Sequence, residues 1–118
     1  MSKLKLFKED GVTYANVSDL ELYKDNPRDV EAKDFERLIE QIKLGEHSTL
    51  LVTTEGEVLG GNTRLRAYKK IGKERAKVVV VNIVESSEGV HIVIDGKKSE
   101  RTFDSGDQAK IELALSHN

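Results

Sequence analysis

The residues best suited to chemistry in this chain lie in one run, Gly60-Gly61-Asn62-Thr63-Arg64-Leu65-Arg66. The two glycines follow an apolar stretch and precede a helical pattern. In that arrangement backbone N–H groups at the positive end of a helix face an anion. Glycine also lets the backbone approach a ligand with no Cβ in the way. Arg64 and Arg66 fall in the first helical turn, where a basic side chain opposes the macrodipole by about 0.3–1 kcal/mol. A local rule is broken in this way where a bound anion such as phosphate compensates. Gly60, Gly61, Asn62, Thr63, Arg64 and Arg66 are therefore the candidate phosphate- or nucleotide-binding residues. Asn62 reads as the helix cap, Thr63 supplies a hydroxyl, and Arg64 supplies a charge-assisted fork. The competing reading leaves both arginines solvated or paired with Glu57 and other acids. The wider stretch from Gly56 to Thr63 has P-loop spacing, but Asn62 stands where the lysine belongs and Val58-Leu59 read as strand. It is not a P-loop.

Weaker candidates surround this run. Glu21, Asp25 and Asp29 bracket Asn26-Pro27-Arg28 and have the chemistry of a general base or a magnesium ligand. His47, His91 and His117 show no metal-ligand spacing, so no metal site is expected.

The formal net charge of -2 conceals an uneven distribution. Between Arg64 and Lys77 stand seven of the 19 basic residues and one of the 21 acids, giving +6 there and -8 over the rest of the chain. Lys69, Lys70 and Lys73, with Arg28, are the candidate nucleic-acid contacts. A solvated face is the usual meaning of such a run. No aromatic ladder accompanies it: only Tyr68 lies nearby, and the core needs Tyr68.

These residues need elements to hold them. Alternating apolar residues around Glu9-Asp10-Gly11 predict an N-terminal hairpin. Phe35, Leu38, Ile39 and Ile42 repeat at helical spacing, which predicts a helix over about 29–44 with Gly45 as its stop. Leu50 to Thr54 reads as a buried strand, and Glu57-Val58-Leu59 as a second. A helix then runs from Asn62 to Ile71 with Gly72 after it, and Val78 to Val84 makes a central strand. Val90–Ile94 and Lys98–Phe103 read as a hairpin around Asp95-Gly96. Ser105-Gly106-Asp107-Gln108 has capping-box spacing for a last helix. The fold class is α+β, a mixed β-sheet with about three helices in one domain over residues 1–118.

Composition excludes whole classes of function. With no cysteine there is no disulfide scaffold, thiolate zinc site or cysteine nucleophile. No apolar run approaches the ~20 residues of a membrane span, and the N-terminus lacks a signal-peptide core. A cytoplasmic protein without membrane contact is the expectation. With no stop signal before Asn118, the chain also reads as the N-terminal part of something longer.

The order of these motifs resembles the ParB/sulfiredoxin superfamily. The likeness covers roughly residues 17–84, and it is most specific from Gly60 to Gly72. It implies a nucleotide-binding fold of the ParB N-terminal type, a domain also described as a nuclease in some relatives. In ParB proteins a Gly-Glu-Arg-Arg turn binds nucleotide triphosphate. That turn falls on Gly61, Asn62, Thr63 and Arg64, of which Gly61 and Arg64 match, and Arg66-Ala67 continue the pattern. The sulfiredoxin turn would place its catalytic cysteine on Asn62, and an amide cannot perform thiolate attack. Ala114-Leu115-Ser116-His117-Asn118 is similar to the start of a ParB phosphate-binding motif, which implies a ligand role for Asn118. The expected ligand is CTP or ATP with Mg2+, or nucleic-acid phosphate, within a DNA-associated protein of partition, plasmid, phage or mobile-element type. The resemblance implies a DNA-binding region beyond the C-terminus of this chain. A magnesium-dependent nuclease, a small-molecule kinase or NTPase at the same turn, and a non-catalytic interaction domain are the rival readings. The hairpin over 90–103 is not part of the family pattern and reads as an insertion, a candidate partner or homodimer surface.

Overall fold

A computed structural model describes residues 4–23, 32–45 and 48–117. Its scaffold is one mixed sheet of eight strands carrying a pair of helices on one face and a third helix on the other.

Strands β1 (Leu6–Glu9) and β2 (Val12–Asn16) form the expected hairpin about Asp10-Gly11, both in the left-handed backbone region that two-residue hairpin turns require. A 3-10 turn, Val17–Asp19, leads into β3 (Glu21–Leu22), a short edge strand parallel to the strand over Glu57–Gly60. Helix α1 (Ala32–Lys43) buries the predicted stripe, Ile42 most deeply, against the helix over Asn62–Ile71. Strands β4 (Leu50–Thr53) and β5 (Glu57–Gly60) pair antiparallel, and α2 (Asn62–Ile71) follows β5 directly.

The central strand is longer than the valine run predicts. β6 spans Arg75–Ser86 and pairs β2 through its first three residues, β4 through Val78–Val81, and β7 (Gly89–Ile94) through its second half. The β6–β7 hairpin, closed at Ser86 and Gly89, is therefore the longest among the described residues, and the sequence does not signal it because Ser87-Glu88 carries no strong turn signal. The predicted strand over Lys98–Phe103 shrinks to β8 (Lys97–Lys98), with Phe103 returning only as a single bridge to Val90. Ser99 accounts for the break: its N–H keeps the ladder bond to the Ile92 carbonyl, but its hydroxyl takes the Ile92 N–H and donates to the Arg101 carbonyl.

Two apolar layers hold the sheet. On one face Leu50, Val52, Val58, Ala76 and Val78 pack against Leu65 and Tyr68 of α2 and Ile42 of α1. On the other, α3 (Gly106–His117) covers Val81, Ile92 and Phe103, and its Ala114 meets Tyr23 and Leu59. Burying one such large apolar side chain contributes about 1.5–3 kcal/mol. The expected capping box is half formed: the Gln108 N–H donates to Ser105 Oγ at 3.1 Å, while Gln108 Oε1 accepts the N–H of Asp104, one residue before the cap, at 3.2 Å. Among the described residues no helix is long and apolar enough to cross a membrane.

Candidate functional site

The sheet delivers the glycine turn with a kink. Leu51 opposes Gly60 while Val52 opposes Val58, so the register slips at Leu59 and β5 bends just before it ends. Leu59 is thereby fully buried under α3, and Gly60 closes the strand from a buried position. Gly61 then takes φ +93°, ψ 27° and caps α2, its carbonyl accepting the Leu65 N–H at 2.9 Å. This corrects the expectation that Asn62 is the cap. The chain must reverse from strand to helix within one residue, which takes a left-handed conformation, and glycine supplies it. A Cβ on Gly61 would stand 2.6 Å from Leu50 Cδ2, so the turn is pressed tightly onto β4.

Asn62, Thr63 and Arg64 are consequently the first three residues of the helix. The N–H groups of a helix's first turn point out of its positive end, and these three residues form that turn. The first turn carries no acid. Asn62 is buried, while Thr63 and Arg64 are half-buried, with the Arg64 Nε drawn out of solvent. Glu57, the acid proposed to neutralise the arginines, is held elsewhere: Lys110 Nζ of α3 lies 2.6 Å from its Oε1, and its N–H donates to Thr53 Oγ1 at 3.1 Å. Burial alone would lower the Lys110 pKa, but the hydrogen bond and charge of Glu57, aided by Glu55 and Tyr23, outweigh it and hold the pKa above its ordinary value.

Arg66 departs from the group. It is exposed, with its guanidinium 5.5 Å from the centre of the Phe35 ring on α1, a contact that ties the two helices together. The remaining basic residues do not form one face. Lys69 and Lys70 are exposed in the last turn of α2, Lys73 lies 5.4 Å over the Tyr68 ring, and Arg75 stacks on Phe7 at 3.9 Å.

Of the three candidate acids, Glu21 alone falls among the described residues. Glu21 is exposed and stands in register with Glu57, three residues before Gly60 along β5. Asp25, Arg28, Asp29 and Asn118 lie outside the described residues. Tyr23 and Ala114 both pack on Leu59, so β3 and the last turns of α3 converge beside the end of β5 that bears the turn. Among the described residues no group of three acids or histidines has metal-binding geometry. His91 is buried within the β7–β8 hairpin, its Nδ1 3.4 Å from the Ser99 carbonyl.

No family model matches the sequence, and no curated relative does. Solved structures do. The C-terminally truncated chromosome-partitioning protein ParB from Caulobacter crescentus, complexed with CTP-gamma-S, aligns with a TM-score of 0.59 over 86% of this chain at 22% identity. The chain has a ParB-like N-terminal fold. It spans about half of that ParB chain, 49% of its length. A Pnob8-like ParB-N domain aligns more loosely, with a TM-score of 0.48 over 75% of this chain and 34% of that one at 18% identity. The α+β class, the mixed sheet and the three helices expected from the sequence are all present in this ParB-like chain.

Proposed function

We propose that this ParB-like domain binds the phosphates of a nucleotide, CTP foremost, at the turn from Gly60 to Arg64. The observation that carries this reading is the opening of α2: a left-handed Gly61 starts a helix whose first turn holds Arg64 and no acid. Backbone N–H groups of Asn62, Thr63 and Arg64 are the donors to phosphate oxygens. The Thr63 hydroxyl adds a bond, and Arg64 supplies the charge-assisted one. Arg66, engaged with Phe35, positions α2 against α1 rather than holding ligand. The resemblance to a ParB complexed with a CTP analogue supports the nucleotide over inorganic phosphate. Binding, not turnover, is the proposed activity, because the Gly-Glu-Arg-Arg pattern keeps only its glycine and last arginine here. A DNA-associated setting fits the same reading.

Calorimetric titration with CTP, ATP, GTP and a short duplex tests it. CTP binds at or below millimolar concentration, and Arg64→Ala weakens it by about 1.5–3 kcal/mol, the worth of a lost charged hydrogen bond. No heat from any nucleotide, or an Arg64→Ala variant that binds like wild type, would sink the proposal.

A further inference from the structure

The glycine turn leaves most of the basic block without a use, and the fold gives it one. Tyr14 stands directly opposite Phe7 on one side and Lys77 on the other, so the three side chains form one row across β1, β2 and β6. Their neighbours Ala15 and Ala76 are fully buried under α1 and α2, which puts Phe7, Tyr14 and Lys77 on the opposite face. Helix α3 packs on β5, β6 and β7, and the β1–β2 part of the face keeps both rings half-buried. Arg75, one rung along, lays its guanidinium 3.9 Å from the centre of the Phe7 ring, and Lys5 Nζ lies 5.3 Å from the same ring. A groove of about 720 Å³ continues from Phe7 and Lys77 past Val79 and Thr49 toward Asp95-Gly96.

We infer that this face binds single-stranded nucleic acid. Stacking uses aromatic rings and guanidinium planes, and Phe7, Tyr14 and the Arg75 guanidinium stand together on this face of the sheet. Phosphates need cations along a track, and Lys5, Arg75 and Lys77 line one here. Acids border the face at its ends: Glu9 is exposed 4.0 Å from Arg75, Asn16 donates to Asp19 at 3.4 Å, and Asp95 stands at the far rim of the groove. The aromatic partners that the basic run lacks in sequence are thus supplied by a hairpin some sixty residues upstream. The site is separate from the glycine turn, because α2 packs on the other face of the sheet.

Fluorescence anisotropy with labelled oligothymidylate, oligouridylate and a matched duplex tests the inference, the two single strands separating DNA from RNA as the source. Wild type binds at least one single strand more tightly than the duplex, and Phe7→Leu/Tyr14→Leu weakens that binding about tenfold or more. Lys77→Gln, which leaves the rings in place, lowers the slope of log affinity against log salt by about 0.7. Tyr23 and Tyr68 are buried, so quenching of tyrosine emission by bound strand reports Tyr14 and disappears in Tyr14→Leu. The leucine pair keeps its CTP affinity, and Arg64→Ala keeps its single-strand affinity, so the two proposals fail independently. Absence of single-strand binding at low salt, a preference for duplex, or wild-type affinity in both the leucine pair and Lys77→Gln would each overturn it.

Discussion

At the scale of single residues, Gly61 carries more of this structure than its size suggests. Its φ of +93° is one that a side chain rarely adopts, and a Cβ would press to 2.6 Å on Leu50 Cδ2 in the core. Gly72, which ends the same helix, has φ +75° but open space around it. Left-handed backbone costs a non-glycine residue roughly 1–2 kcal/mol, so Gly72→Ala should lose about that much. Gly61→Ala should lose about 1 kcal/mol more, from the overpacking of Leu50. Denaturant unfolding of the two variants measures the difference. Equal losses would mean that Leu50 yields freely. Both glycines were legible as punctuation in the sequence, but which one caps the helix was not. Asn62 is the better cap by type, and only the tight reversal after β5 reveals why it lies inside the helix and buried.

Among the elements, α3 is fastened to β5 at two points. Ala114 packs against Leu59 and Tyr23, and Lys110 reaches Glu57 near the start of the strand. The raised pKa of Lys110 makes that second fastening pH-dependent. A lysine whose pKa is higher folded than unfolded stabilises fully below the unfolded value, near 10.5, and loses that contribution as pH climbs through the folded value. Thermal stability should therefore fall above about pH 10.5 more steeply in wild type than in Lys110→Met. At neutral pH the same variant should lose roughly 1–3 kcal/mol, a charged hydrogen bond removed from a half-buried acid. Melting curves across pH check both, and parallel curves for the two proteins would show that the pair contributes nothing. The helices were readable from their apolar spacing and from Ser105 and Gln108. β3 and the second half of β6 were not, because two-residue edge strands and polar strand ends owe their form to neighbours rather than to local pattern.

For the molecule as a whole, the sequence disclosed the charge asymmetry but not its geometry. Arg64, Arg66, Lys73 and Arg75 are close in the chain, yet the fold sends them to the glycine turn, to Phe35, to Tyr68 and to Phe7. A linear run of charge carries no direction until a helix and a strand distribute it over two faces of a sheet. The ParB-like fold was legible because the glycine pair, the helix after it and the valine strand follow in one order, and the solved ParB structure aligns over 86% of the chain. What sequence could not show is that Phe7 and Tyr14 meet the basic strand, since that contact depends on the register of β2 against β6. The central claim concerns backbone N–H groups, and it is tested most directly by following them. In a CTP titration of isotope-labelled protein by amide NMR, the resonances of Gly61, Asn62, Thr63 and Arg64 should move first and furthest. Shifts centred on any other part of the chain, with these four unmoved at saturation, would contradict the assignment of the glycine turn as the nucleotide site.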